Sequence, residues 1–187
     1  MRQVRLIFKE LVSVEGSDGL SVIVLTDPTE QRALNVICDK QMSDQLMMRT
    51  NHLPHVDMLL PETLMRVLAP EGGSDLELRV RSVYDGQYHV TLLNKGNLKL
   101  YPIRMSDAIL LSYISDVPLY IDEALMNNQS SAYVPQQRKI SIPINTIDLE
   151  QLQDELERAV AMEDYLLASN LKKEIDRRTA DHNSLPQ

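Results

Sequence analysis

Apolar and polar side chains alternate loosely through residues 4–14 and again, over a shorter span, through 21–25. A period of two predicts strands. The Glu15-Gly16-Ser17-Asp18-Gly19 segment between them has the chemistry of a hairpin turn. Asp27-Pro28 predicts another turn and residues 33–38 a third strand. Ser43 or Asp44 then predicts the cap of a helix running to about Arg49, because a short side-chain oxygen can accept from a free first-turn N–H. Pro61 suits the first turn of a second helix, where its missing N–H does no harm. The plan then returns. Residues 76–84 and 87–93 flank Asp85-Gly86 as a hairpin, and 97–103 follow as a third strand. Ser106 predicts the cap of a helix reaching about Ser115, in which Ile109, Leu110, Tyr113 and Ile114 recur at helical spacing. Residues 117–121 read as a short strand, and Asp122 or Glu123 as the start of a last helical turn.

The recurrence extends to the residues themselves. Met42-Ser43-Asp44 answers Met105-Ser106-Asp107, Leu53-Pro54 answers Val117-Pro118, and Glu62-Thr63-Leu64-Met65 answers Glu123-Ala124-Leu125-Met126. Several landmarks in one order, about sixty residues apart, predict an internal duplication. The expected fold is α+β: an internally duplicated mixed β-sheet domain with packed helices, over residues 1–128, followed by a C-terminal α-helical hairpin.

Beyond that domain the pattern changes. From Asn127 to Ile147 the chain is rich in Asn, Gln, Ser and Pro, which predicts a linker over 129–147 with an extended piece at 140–144. Residues 148–178 are helical in pattern, with Asp148 as a cap candidate. Leu149, Leu152, Leu156, Ala159 and Val160 make one stripe; Leu167, Leu171 and Ile175 make another. Glu163-Asp164-Tyr165 separates them, so two antiparallel helices are expected, with a disordered tail over 179–187. A hairpin this small buries too little surface to be firmly stable alone. It is expected to bind a protein partner or a second copy through Leu152, Leu156, Val160, Tyr165, Leu171 and Ile175, making a homo-oligomer the expected state.

Composition narrows the class. With 43% apolar and 25% charged residues, the 187-residue chain is that of an ordinary globular protein, and its core must be aliphatic because it has no Trp and one Phe. The single cysteine, Cys38, excludes an internal disulfide, fits a reducing compartment and reads as a packed thiol rather than a nucleophile. No signal peptide pattern and no apolar run of membrane-spanning length is present, so a cytoplasmic protein without membrane contact is expected. Net charge is −8, and residues 148–187 hold 5 basic against 10 acidic side chains. Neither part is the basic surface that sequence-independent phosphate binding usually requires.

Candidate chemistry centres on Arg104-Met105-Ser106-Asp107. Arg104 and Ser106, at a strand end and helix start, can present a guanidinium and free N–H groups to a phosphate. Asp107 can hold a divalent metal, Mg²⁺ or Mn²⁺, with Asp122 or Glu123. The same residues equally fit a structural role, with Ser106 capping, Asp107 complementing the helix dipole and Arg104 pairing with a carboxylate. His52, His55, His89 and His182 do not cluster, and no zinc or phosphate-loop spacing exists.

Two resemblances follow from these segments. Tyr84-Asp85-Gly86-Gln87-Tyr88-His89-Val90, Arg104-Met105-Ser106-Asp107-Ala108-Ile109 and Pro118-Leu119-Tyr120-Ile121-Asp122-Glu123 resemble the signature of the bifunctional nuclease domain family. With the weaker first half, the likeness covers about residues 3–128. Met105 stands where that family usually has proline, and Leu60-Pro61-Glu62 where it has Thr-His-Asp. The resemblance implies a metal-dependent nuclease acting on DNA and/or RNA, with Asp107, Asp122 and Glu123 as candidate catalytic residues and Asp107 and Asp122 as candidate metal ligands. Residues 152–175 resemble the UVR motif of excision-repair proteins, which implies a helical hairpin for protein contact. The alternative reading is a non-catalytic, oligomeric regulatory module whose hairpin recruits a protein.

Overall fold

The alternating segments do form strands: β1 (Gln3–Ser13), β2 (Ser21–Thr26) and β3 (Arg32–Cys38) in the first half, β4 (Leu76–Tyr84), β5 (Gln87–Asn94) and β6 (Lys99–Ile103) in the second. The computed structural model describes residues 2–13, 20–68, 75–84, 86–115, 117–135, 144–147 and 149–183, and backbone alone at 181–183. The expected turn at Glu15–Gly19, Asp85, the cap candidate Asp148 and residues 140–143 lie outside these. The chain falls into two compact units, one of Met1–Ser82 with Tyr88–Ser141, the other of Val83–Gln87 with Ile142–Gln187.

The first unit carries a mixed sheet of eight strands in the order β6-β5-β4-β7-β1-β2-β3-β8, where β7 is Leu119–Asp122 and β8 is Ser131–Ala132. Each half is a three-stranded run leading outward from its own first strand, and β7 sits between the two first strands. It is antiparallel to β1, with Leu6 opposite Leu119, and parallel to β4, with Leu78 opposite Leu119. Gly86 has φ +77, the left-handed backbone that a tight hairpin turn asks of its glycine.

Helices α1 (Lys40–Thr50) and α3 (Met105–Ile114) follow the third strand of each half, so the order strand-strand-strand-helix occurs twice. α2 (Leu60–Leu68) and α4 (Glu123–Gln129) come later in each half, and Pro61 lies in the first turn of α2 as expected. One core joins the halves. It takes Ile23, Leu34, Leu46, Leu78, Ile109 and Leu119, all essentially sealed from solvent. β2 is buried at every position, so both its faces are covered, unlike a strand with one wet face.

Both expected serine caps are corrected. α1 begins at Lys40 and is capped by Asp39, whose Oδ1 accepts from the Met42 N–H at 2.7 Å. Ser43 lies inside the helix, buried, with its Oγ 3.0 Å from that of Ser21. α3 begins at Met105, with Arg104 at the cap position and no side-chain cap bond, so Ser106 is its second residue. In both helices an apolar residue, Met42 or Met105, is drawn into the core and sets the first turn earlier than the serine. The polar stretch also contributes more than a linker, because 127–129 end α4 and Ser131 pairs with Ala33 at the sheet edge.

In the second unit α5 (Leu149–Ala161) and α6 (Tyr165–Asn183) form the hairpin, and α6 runs past the expected end at Arg178. Leu152, Ala159, Ala168 and Leu171 make its core, with Leu156 and Ile175 partly buried against them. Arg178, almost wholly buried, donates to Glu174 Oε1 at 2.9 Å and to the Ile147 carbonyl at 2.6 Å, fixing the entering chain to α6.

Candidate functional site

The duplication brings two helix starts under study, one at Asp39 and one at Arg104. Arg104 grips Asp107 with a two-pronged contact, Nε to Oδ2 at 2.7 Å and Nη2 to Oδ1 at 3.1 Å. That bond raises the guanidinium above its ordinary value, and the charges of Asp107 and Asp39 add to it against burial. The arrangement is solvent-facing, with the Arg104 side chain 71% exposed. Asp107 is thus engaged by the residue that was expected to bind substrate beside it, and Ser106 is half-buried between them.

Asp122 and Glu123 stand elsewhere, at the end of β7 and the start of α4. Glu123 accepts from Arg32 Nη1 at 2.9 Å, and Arg2 Nε lies 3.9 Å away. Arg32 is a hub: the same Nη1 donates to Asn127 Oδ1 at 2.7 Å, and its Nε donates to Asp27 Oδ2 at 3.1 Å. Asp27 is buried and also accepts the backbone N–H of Gln31 and Arg32 at 3.0 and 3.3 Å. Burial pushes its carboxyl up, but the Arg32 contact and these N–H groups outweigh burial and hold it below the usual range. The sequence gave a partial signal, since Asp27-Pro28 marks a turn whose Asp can accept from the backbone; that Arg32 closes it was not legible.

Among the described residues no three His, Cys, Asp or Glu side chains converge as metal ligands, so Asp107, Asp122 and Glu123 are not gathered into one site. With Asp107 and Glu123 held by arginines, the residues do not fit a divalent ion as they stand. A cavity of about 160 Å³ lies between β1 and α3, lined by residues such as Phe8, Ser112 and Tyr113. It is smaller than the 300–1,000 Å³ usual for ligand pockets and includes none of the candidate residues. Cys38 is buried, and burial followed by the Asp39 charge pushes its thiol up to about 12, so it is no nucleophile at neutral pH.

The bifunctional nuclease domain family matches residues 23–133, more than half of the chain. The chain belongs to that family. The match takes in both halves of the sheet from β2 to β8, and with it the Arg104–Asp107 pair and the Arg32 hub. No curated protein matches the chain. In this family member Glu62 occupies the start of α2 and is spent structurally. Arg49 donates to it through Nε at 2.7 Å and Nη2 at 2.9 Å, and through Nη1 to the Gln45 carbonyl at 2.7 Å. The Arg49 side chain is 3% exposed, so this pair locks α1 to α2. No helix among the described residues is long and apolar enough to cross a membrane.

The hairpin residues expected to make protein contacts divide into two groups. Leu152 and Leu171 are sealed, and Leu156 and Ile175 pack against them, so these four hold the helices together. Val160 and Tyr165 are exposed near the turn, where Met162 and Leu166 join them. The sequence stripes marked the seam correctly; the turn-end group lay off the stripes.

Proposed function

We propose that this chain cleaves phosphodiester bonds of DNA and/or RNA as a nuclease of its family, and that its C-terminal hairpin recruits a protein partner. The observation that carries the first part is the family match across both halves of the sheet. Arg104 supports it locally: Nε and Nη2 are fixed by Asp107, while Nη1 is not used in that contact, and the side chain is largely in solvent. A guanidinium held in one orientation is well suited to a phosphate oxygen. The hairpin proposal, for which a UVR-like role is the fitting description, is supported by the exposed Val160, Met162, Tyr165 and Leu166 at the turn end.

One observation favours a second reading, a non-catalytic regulatory module. Asp27, Glu62, Asp107 and Glu123 are each paired with an arginine. The deciding experiment is a fluorogenic assay of the full chain on single-stranded DNA and RNA, with Mg²⁺, Mn²⁺ or EDTA. Asp107→Asn and Arg104→Gln are each expected to lower cleavage about a hundredfold, the usual loss when one charge-stabilising group is removed. Loss of activity in EDTA assigns a metal to the reaction. No cleavage in any arm, or cleavage indifferent to both substitutions, defeats the nuclease reading at this site.

A further inference from the structure

The α2 helix turns one apolar face to solvent. Leu60, Leu64, Val67 and Leu68 stand at i, i+4, i+7 and i+8, so they share a side of the helix. They are 76%, 43%, 73% and 55% exposed, and Met58, in the 3₁₀ turn that packs beside α2, is 72% exposed. The remaining sides of α2 are engaged: Met65 is buried, and Glu62 is held by Arg49. Together the five side chains offer roughly 550 Å² of apolar surface, at the upper end of the largest patch on an ordinary monomer.

We infer that this face pairs with the same face of a second copy, α2 against α2 and antiparallel. Area is the first argument. Two such patches joined remove roughly 1,100 Å², which passes the threshold of about 1,000 Å² for a specific interface. A two-fold axis then lets one patch serve both partners. Charge is the second argument. Asp57 lies just before α2 and Arg66 in its last turn; both are exposed, and neither pairs with a described residue. Antiparallel packing brings Arg66 of one copy to the end where the second copy holds Asp57, and opposes the helix dipoles favourably. Parallel packing would set like charges together.

Sedimentation of the full chain across a wide concentration range tests this. The wild type is expected to form a dimer, and Leu60→Glu with Val67→Glu to raise its dissociation constant at least about a hundredfold. The melting curve at low concentration should be unchanged, since both positions are on the surface. Asp57→Arg and Arg66→Asp should each weaken the dimer, and the two together should restore it. A wild type that stays a single chain throughout overturns the proposal, as does a dimer untouched by the Leu60 and Val67 changes. So does a charge pair that fails to restore, or a dimer lost only on Tyr165→Asp in the hairpin.

Discussion

The two halves of the sheet share one order of elements and differ in how each outer edge is closed. In the first half β2 is buried throughout, β3 has β8 beside it, and Arg32 ties the β2–β3 turn to α4. The Arg49–Glu62 pair secures its two helices. In the second half β5 buries Val90 alone, and β6 buries nothing. The open edge of β6 carries Lys99 and Pro102, residues that discourage pairing with another chain. Duplication has conserved topology within the chain, while burial follows what each outer strand has to pack against.

The contrast can be broken first at the clamp that only one half possesses. Arg49→Ala leaves the Glu62 carboxylate partly buried without its partner and should cost about 3–5 kcal/mol, read as a lowered urea midpoint. The third strands come next. Leu34→Ala in β3 should cost about 2–5 kcal/mol, whereas Leu100→Ala in β6, 53% exposed, should stay within about 0.5 kcal/mol. Equal losses at the two positions would mean that β6 is covered in solution. The smallest effect sharpens the comparison through pH. Asp27 has its carboxyl held low in the fold, so it contributes stability above its unfolded value of about 4, and that contribution disappears as pH falls through the lower folded value. Melts between pH 6 and 3 should show a fall that Arg32→Gln makes shallower by on the order of a few °C.

Much of the fold was legible because its signals are local. Alternation marked six strands, Asp85-Gly86 marked a turn that Gly86 closes with positive φ, and the leucine stripes marked the hairpin seam. What failed was also local, and for one reason. Ser43 and Ser106 are good caps by chemistry, but burial of Met42 and Met105 decides where the first turn begins. The site was less legible still. Arg104 and Asp107 are three residues apart and could be paired from spacing, whereas Arg32 meets Glu123 across 91 positions and Arg49 meets Glu62 through a loop. Such contacts depend on which strand lies beside which, and nothing in the spacing of charges encodes that.

Strand β7 gives the molecule a particular order of assembly. It lies at the centre of the sheet yet leaves the ribosome after every strand but the two-residue β8, so Gln3 must wait for Asp122. At usual synthesis rates that wait is on the order of ten seconds. During it, the first meander holds a long inner edge with unpaired N–H and C=O groups, a surface open to wrong partners. The two halves can fold as neighbours early, but they become one sheet only when a four-residue strand arrives to join them.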